Sequence, residues 1–267
     1  MCASFAYWID KIRLNADGVI TISKTVAGAV KNYFYSKDSY PKVDLCPIRH
    51  FYLGSELDLV KQGDRIGNDV KNIFDLNVHV FIVVGSIEPR KNHTFILDAF
   101  DHFWANGGKA ALVVIGRQGW CNEGVLERIA NHPEFGTQLY LLRRASDAEL
   151  DFCYCNASCL LFASFAEGFG LPIVEAFQRG LAVMCSDIPI FREIAGGRAR
   201  FFDLSSADNL TRDLEDFCQS VDLTSRKNRA PQGWIGWSES VKQLLNNVVA
   251  IRAMTLKKRR GVGRLSR

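Results

Sequence analysis

The sequence of 267 residues predicts an α/β protein built around a doubly wound, parallel β-sheet. From residue 78 onward, short runs of apolar residues alternate with longer segments of helical periodicity, and strand followed by helix recurs six times. The strand candidates are continuously apolar, which is typical of strands covered on both faces. Because ligands of such sheets bind beyond the carboxyl ends of the strands, we expect a site at the turns after Gly85, Gly116, Leu142 and Ala163.

The elements of this sheet can be assigned in order. The predicted strands comprise residues 78–85, 110–116, 138–142, 159–163, 182–185 and 200–202. The predicted helices comprise residues 92–104, 123–131, 147–155, 171–179, 190–195 and 207–219. One helix has its own start signal, since Ser146 and Glu149 have the spacing of a capping box.

The first fifty residues form a shorter unit of the same kind. A helical start precedes a strand at 18–23, a helix at 24–35 and a second strand at 43–47, and this unit is too small to bury a core alone. Residues 48–77 have no clear period and indicate a connection, whereas the pattern of 234–253 predicts an amphipathic helix. The predicted division is therefore 1–50, 51–77, 78–233, 234–253 and a basic tail at 254–267.

The positive charge of the chain is concentrated at one end. The formal net charge is +4, and six positive charges lie within residues 257–267, which leaves the rest of the chain at −2. Nucleic-acid binders carry Lys and Arg over a folded face, so this distribution argues against nucleic acid as a partner. We expect the tail to be a solvated terminus, and the alternative is peripheral contact with an anionic membrane surface.

Cysteine content and hydropathy indicate the compartment. Eight cysteines are scattered along the chain, and we interpret them as reduced, small, buried residues. Cys153, Cys155 and Cys159 lack the paired spacing of a zinc site, so no metal is expected. The amino terminus has charged residues where a signal peptide needs apolar ones, and no apolar run is long enough to span a membrane. These features predict a cytoplasmic protein, either soluble or at the inner face of the membrane.

The strongest motif is EGFGLPIVEA at 167–176, directly after a buried strand. Gly168 and Gly170 allow the backbone to approach a ligand, and the following helix start favours an anion. Glu175, one turn into the helix, can accept hydrogen bonds from a vicinal diol. A phosphate and a sugar diol fit these groups. The alternative is a glycine-rich turn in which Glu167 and Glu175 are merely solvated.

The second motif is VGSIEPRKNHTF at 84–95, where a strand ends and a helix begins. Arg90 and Lys91 can place two cations against a diphosphate whose charge grows as it leaves. The alternative is an exposed basic turn. This motif lies at the same edge of the sheet as the glutamate motif, which favours the binding of a diphosphate over an exposed basic turn.

Four further residues near these turns have weaker signals. His93 is more simply a residue of a capping turn than a catalytic base, and Trp120 packs against the sheet or lines a pocket. Arg143 and Arg144 could contact a base or a phosphate, or belong to a solvated loop.

The segments together resemble the carboxyl-terminal half of the retaining nucleotide-sugar glycosyltransferases of group 1 (family 4), whose two facing Rossmann-like domains form the GT-B fold. GSIEPRKN, GRQGW, SDAEL and EGFGLPIVEA occur at the family's spacing, and HFYLGSELD at 50–58 resembles the segment that opens the second domain. The family's two glutamates fall on Glu167 and Glu175. Within the family the sequence is most similar to bacterial mannosyltransferases of surface-polysaccharide synthesis, which implies GDP-mannose as the donor.

The resemblance implies a role for each matched residue. Arg90 and Lys91 would hold the diphosphate, Glu175 the ribose, and Glu167 with the 169–170 backbone the transferred sugar, while loops near Gly116 and Leu142 would meet the base. The implied catalytic residues are Arg90, Lys91 and Glu167, and the implied donor-binding residues are Gly85, Ser86, Gly116, Leu142, Gly168, Phe169, Gly170 and Glu175. A donor phosphate oxygen would help to deprotonate the acceptor, and no cofactor besides the donor substrate is implied.

The sequence also departs from the family. Ser86 stands where the family often has Arg, and Ala163 stands where it has Pro. Only about fifty residues match the acceptor domain, so we expect a truncated remnant of that amino-terminal domain. The chain would then be a fragment, or would recruit a separate acceptor domain or self-associate through Trp237, Val241 and Leu244.

The predicted function is transfer of mannose, with retention, from a nucleotide-diphosphate sugar to a glycan or polyprenyl-linked acceptor. Two alternatives stay open. One is a non-catalytic protein that binds nucleotide sugars, and the other is a nucleotide-sugar epimerase, which needs no acceptor.

Overall fold

A computed structural model describes residues 3–35, 46–55, 65–223 and 229–265, with side chains to residue 256 in the last helix. The chain divides into two compact units. The smaller unit combines residues 1–54 with 235–267, and the larger unit comprises residues 55–234. Among the described residues, no helix has both the length and the hydropathy of a membrane span.

The larger unit contains the predicted parallel sheet. Its strands are β3 (His79–Val84), β4 (Ala110–Ile115), β5 (Leu139–Leu142), β6 (Cys159–Phe162), β7 (Ala182–Ser186) and β8 (Arg200–Phe202). They lie in the order β5-β4-β3-β6-β7-β8, and every neighbouring pair is parallel. Within the larger unit, the first strand, β3, is therefore central: β4 and β5 follow on one side of it, and β6, β7 and β8 on the other. This switch between β3 and β6 is typical of doubly wound folds.

Helices connect these strands and confirm the alternation predicted from the sequence. They are α3 (Asn68–Phe74), α4 (His93–Ala105), α5 (Glu123–Ala130), α6 (Asp147–Asn156), α7 (Leu171–Gln178), α8 (Pro189–Ala195) and α9 (Ala207–Ser220). Ser146 and Glu149 form the predicted capping box at the start of α6. The observed bounds differ from the predicted ones by one residue at most ends, because fully buried strands and capped helices have strong local signals.

The core of the larger unit lies on both faces of the sheet. Every residue of β3 and β4 is buried. On one face, Phe81 packs against Phe100 of α4 and Phe217 of α9. On the other face, Phe162 contacts the ring of Phe191 in α8 at a centroid distance of 5.1 Å. Coverage of both faces explains why the strands are continuously apolar.

The smaller unit has a two-stranded parallel sheet. It consists of α1 (Ala3–Asn15), β1 (Val19–Thr21), α2 (Lys24–Tyr35), β2 (Ile48–His50) and α10 (Trp237–Leu265), and β1 pairs with β2. Its core cluster contains three buried apolar residues: Ile9, Phe34 and Cys46. Helix α10 contacts both strands, and Asn247 donates a hydrogen bond to the carbonyl oxygen of His50 (2.7 Å).

Three sequence predictions need correction. The strand beside β1 is Ile48–His50 rather than 43–47, of which residues 43–45 lie outside the described part. The connection at 51–77 contains helix α3, which is too short for its periodicity to be visible. The basic segment at 254–265 continues α10, because extending an existing helix is easier than starting one and Lys and Arg are good helix formers.

The cysteines are less uniform than expected. Of the described ones, Cys46, Cys153, Cys159 and Cys185 are buried, whereas Cys121 and Cys155 are exposed. The interpretation of all of them as buried residues was therefore wrong. An exposed position on a loop or a helix has no apolar neighbours in sequence that distinguish it from a buried one.

Candidate functional site

Two turns meet at the centre of the sheet, where β3 and β6 are neighbours. One turn follows β3 and contains the short 3₁₀ helix Pro89–Lys91, and the other joins β6 to α7. The backbone N–H of Phe165 donates to the carbonyl oxygen of Arg90 (3.0 Å), so the turns are joined directly. The position between the carboxyl ends of these strands is where a doubly wound sheet binds its ligand.

Glu167 is the centre of a cluster of charged side chains in these turns. Its Oε1 accepts a hydrogen bond from Lys91 Nζ (2.7 Å), and its Oε2 lies 2.5 Å from Arg90 Nη1. Ser164 Oγ also donates to Oε1 (3.0 Å), and Arg90 forms a second ion pair with Glu88 (2.5 Å). The structure thus brings together Arg90, Lys91 and Glu167, the three residues expected to be catalytic.

The electrostatics of the cluster favour charged groups. Burial alone would raise the pKa of the Glu167 carboxyl, but the hydrogen bonds and charges of Lys91 and Arg90 outweigh it, so its pKa is lowered. Burial would lower the pKa of Arg90, and Glu167 and Glu88 reverse this and raise it. The two cations are balanced by the two carboxylates. A bound diphosphate would therefore share these cations with Glu167 or replace it.

Arg90 and Lys91 differ in exposure. The Arg90 side chain is 38% exposed, whereas those of Lys91 and Glu167 are 11% and 9% exposed. Lys91 Nζ lies 4.5 Å from the centre of the Phe162 ring. Arg90 can therefore reorient toward a ligand, while Lys91 is held in place by its surroundings.

Glycines permit the close approach of strands and side chains beneath the cluster. Gly85 has φ of +143°, and a Cβ there would lie 3.2 Å from Lys91 Cε. A Cβ on Gly116 would lie only 1.8 Å from the Gly85 carbonyl oxygen, so no other residue fits. Gly170, with φ of +102°, is the N-cap of α7. These three expected donor-binding residues therefore have a structural reason for their lack of a side chain.

Glu175 lies on α7 and makes its side-chain hydrogen bond with helix α6 rather than with the Glu167 cluster. Tyr154 Oη donates to Glu175 Oε2 (2.7 Å), and Tyr154 is fully buried. Burial raises the pKa of Glu175 despite this hydrogen bond and the charge of Arg179. Sequence reasoning missed Tyr154, because a tyrosine on an ordinary helix carries no motif. Tyr154 therefore holds one of the two carboxylate oxygens of Glu175.

The remaining expected donor-binding residues lie around these turns. Ser86 and Gly168 are partly exposed, whereas the Phe169 side chain is buried against Trp234, so only its backbone could serve a ligand. Leu142 ends β5, and its carbonyl oxygen accepts from the Gly116 backbone N–H (3.0 Å). Ser186, which the sequence did not indicate, donates to the Ser164 carbonyl oxygen (2.7 Å) and steadies the turn after β6.

His93 is buried at the start of α4, with 3% of its surface exposed. Neither ring nitrogen has a hydrogen-bond partner among the described residues. Burial, together with the charge of Lys91, lowers its pKa to about 4. The imidazole is therefore neutral near pH 7, and Asn92, in the left-handed region, precedes it as the N-cap.

A second cleft opens beyond the carboxyl ends of β4 and β5. Its volume is about 930 Å³. It is lined by one residue of β5 and five residues of the loops after these two strands: Leu141, and Arg117, Gln118, Arg143, Arg144 and Ala145. Arg143 Nη2 donates to Gln118 Oε1 (2.8 Å). Trp120, in the first of these loops, is exposed and is not among the lining residues.

Comparison with known proteins adds to this geometry. Residues 65–231 match the protein family described as Glycosyl transferases group 1. The serotype-specific mannosyltransferase WbdA of Escherichia coli is 31% identical over 250 residues, which are 92% of this chain and 31% of WbdA. The O-antigen chain mannosyltransferase RfbU of Salmonella typhimurium is 28% identical over 171 residues, which are 64% of this chain and 46% of RfbU. The chain thus spans about a third of the length of WbdA.

Solved structures share the fold. Sucrose-phosphate synthase from Thermosynechococcus elongatus superposes with a TM-score of 0.70 at 18% identity, covering 95% of this chain and 63% of the synthase. Anabaena HepE, solved in complex with UDP and glucose, superposes with a TM-score of 0.68 at 14% identity, covering 90% of this chain and 65% of HepE. At these identities the similarity concerns the fold alone.

Proposed function

The chain belongs to the group 1 glycosyltransferases, and on that premise we propose that it transfers mannose from GDP-mannose to a glycan or polyprenyl-linked acceptor in surface-polysaccharide synthesis, with retention of anomeric configuration. The sugar is inferred from the mannosyltransferases to which the chain is similar. The single observation that carries the proposal is the cluster of Arg90, Lys91 and Glu167 at the centre of the sheet edge.

The proposed chemistry needs two positive charges beside a leaving group. The acceptor hydroxyl oxygen forms a bond with the anomeric carbon while the bond from that carbon to the donor phosphate oxygen breaks. The electron pair of the broken bond stays on the diphosphate, and the acceptor proton passes to a phosphate oxygen. Arg90 and Lys91 would stabilise the growing negative charge in a partly buried setting, where such interactions are strongest.

Glu167 and Glu175 would position the donor. When the diphosphate takes over the two cations, Glu167 can accept hydrogen bonds from hydroxyls of the transferred sugar. Glu175, held by Tyr154 through Oε2, keeps Oε1 for a ribose hydroxyl. These contacts fix the reacting groups, and such positioning supplies much of the rate acceleration in two-substrate reactions.

The proposal is tested with radiolabelled GDP-mannose and a polyprenyl-linked acceptor, using the chain alone and together with candidate acceptor domains. We expect labelled glycolipid whose new bond is cleaved by an α-mannosidase. Glu167→Gln should reduce transfer at least about 100-fold, because a charged partner of both cations is lost. Glu127→Gln, an exposed glutamate of α5, is the matched control and should have no effect.

Other outcomes separate the alternatives. Donor binding without transfer in any setting would favour a non-catalytic binding protein. Conversion of the donor sugar without acceptor would indicate an epimerase. Normal transfer by Glu167→Gln would contradict the role of the cluster.

A further inference from the structure

The cleft beyond β4 and β5 is a built feature that the charged cluster does not use. Its lining contains three arginines and no carboxylate. Within the described residues, Arg117 and Arg144 form no ion pair, and Arg143 is hydrogen-bonded to the neutral amide of Gln118. The positive charge of the cleft therefore remains uncompensated by side chains that line it, and it attracts an electron-rich ligand.

The loop that carries Gln118 is rigidly attached to the turn of the charged cluster. Ile87 and Gln118 form a parallel bridge, and the Gly119 backbone N–H donates to the Ile87 carbonyl oxygen (3.0 Å). The buried Asn122 donates from Nδ2 to the carbonyl oxygens of Ile87 and Gly119, at 2.8 Å each. Ile87 lies three residues before Arg90. Gln118, and through it Arg143, is thus held in a fixed relation to the diphosphate-binding turn.

Helix α6 connects Glu175, the proposed ribose-binding residue, with the loop that carries Arg143 and Arg144. Helix α6 begins at Asp147, three residues after Arg144, and presents Tyr154 to Glu175. In our proposal, a nucleoside diphosphate with its phosphates at Arg90 and its ribose at Glu175 places its base against the loops after β4 and β5, which line the cleft. The base would then enter a cleft of about 930 Å³ whose rim carries guanidinium groups.

We propose that Arg143, oriented by Gln118, recognises the O6 and N7 atoms of a guanine base and thereby selects a guanosine diphosphate sugar. A guanidinium presents parallel N–H donors, and guanine offers two neighbouring acceptors on one edge. Uracil has no such neighbouring pair, because an N–H lies between its two carbonyl groups. Adenine places a donor beside N7, which opposes the guanidinium. This inference rests on the proposed function and names the residue that sets its donor base.

The experiment measures binding by calorimetry to GDP, to 7-deaza-GDP, which lacks the N7 acceptor, and to UDP. The intact chain should bind GDP about tenfold more tightly than 7-deaza-GDP, the factor expected for one lost half of a bidentate contact. Arg143→Ala should weaken the binding of GDP about tenfold or more and change the affinity for UDP less than threefold. It should also abolish the difference in affinity between GDP and 7-deaza-GDP. Gln118→Ala should have the same pattern to a smaller degree.

Arg144→Ala is the matched control, because it removes the same charge from the neighbouring position. Arg144→Ala should weaken the binding of GDP and of UDP by equal factors, because it only reduces the positive electrostatic potential of the cleft. Far-ultraviolet circular dichroism and a thermal midpoint for each variant exclude unfolding as the cause, since Arg143 and Arg144 are both exposed.

The failure of this inference differs from the failure of the proposed function. If GDP binds, but Arg143→Ala weakens GDP and UDP equally or 7-deaza-GDP binds as well as GDP, Arg143 does not read the base. A further titration with CDP tests the choice of base: tighter binding of CDP than of GDP would also overturn the inference, because cytosine offers its own neighbouring acceptors, O2 and N3. If no nucleoside diphosphate binds, the proposed function itself is wrong.

Discussion

The two units of the chain differ sharply in how well they bury their apolar residues. Among the described residues, twelve large hydrophobic side chains are exposed in the smaller unit, whereas four are exposed in the larger unit, which is about twice as long. The larger unit surrounds a six-stranded sheet with helices on both faces, while the smaller unit has a core cluster of three buried residues. A self-sufficient sheet can hold a precise polar site at its edge. A two-stranded sheet cannot cover its own helices.

Helix α10 of the smaller unit shows where this deficit lies. Trp237, Val241, Leu245 and Val248 share one face and are exposed, as are Val249 and Leu256 beside it. Of the three residues through which self-association is expected, Trp237 and Val241 are exposed and Leu244 is half-buried. The neighbouring Gln243 accepts a hydrogen bond at Oε1 from the backbone N–H of Tyr52, two residues beyond β2 (3.2 Å).

The largest expected effect is a loss of stability of the larger unit, caused by a substitution at Gly116 beneath the charged cluster. Gly116→Ala places a Cβ 1.8 Å from the Gly85 carbonyl oxygen, a backbone atom that cannot move without disturbing the pairing of β3 and β4. We expect the free energy of unfolding in urea to fall by at least about 3 kcal/mol. Gly124→Ala in α5 is the control, since a Cβ there meets no atom within 4 Å. It should be neutral or stabilise by about 1 kcal/mol. Equal effects of the two variants would show that the close approach is absent.

The second prediction concerns the pH dependence of the stability of the larger unit. The pKa of His93 is lowered from 6.5 to about 4, so between these pH values the unfolded chain binds a proton that the folded chain does not. The contribution of His93 to the free energy of unfolding is fully present above pH 6.5 and is lost as the pH falls through this window, by about 3 kcal/mol. The test is urea unfolding at several pH values for the chain and for His93→Leu, which should have a flatter profile between pH 6.5 and 4. Parallel profiles would show that His93 is solvated.

The third prediction separates the two cations of the cluster. Lys91→Ala leaves Glu167 buried with Arg90 as its remaining cation, so we expect a loss of about 2 kcal/mol, less than for a fully broken buried pair. Arg90→Ala should change stability by less than about 1 kcal/mol, because Arg90 is the more exposed partner. Both variants should weaken the binding of GDP much more than that of guanosine, because the two cations are proposed to contact phosphate. Equal losses for GDP and guanosine would indicate a general defect in the site rather than the loss of a phosphate contact.

The predictability of the two units from sequence also differs. The strands of the larger unit are apparent because continuous apolar runs, such as the six residues of β4, are typical of strands buried on both faces. The meeting of Arg90 with Glu167 follows from the rule that parallel strands place their carboxyl ends at one edge. By contrast, β2 has three residues and no pattern, and the pairing of Arg143 with Gln118 across 25 residues depends on tertiary packing that no local signal contains. Sequence thus indicates the residues of the cluster, while their orienting partners emerge only from the structure.

The smallest expected effect sharpens the comparison of the units. Leu245→Gln and Val248→Gln, on the exposed face of α10, should change the free energy of unfolding by less than about 0.5 kcal/mol, because their side chains already contact water. Ile251→Ala is the contrasting variant on the same helix. Ile251 is buried, and its side chain occupies the space where a Cβ on Gly18 would fall, 2.7 Å away, so its truncation should cost about 2 kcal/mol. Sedimentation measurements complete the test: an apolar face that recruits a second copy should make the intact chain associate with rising concentration, and the two Gln variants should remain monomeric. If the Gln variants lower stability as much as Ile251→Ala does, this face packs within the smaller unit and the difference between the units disappears.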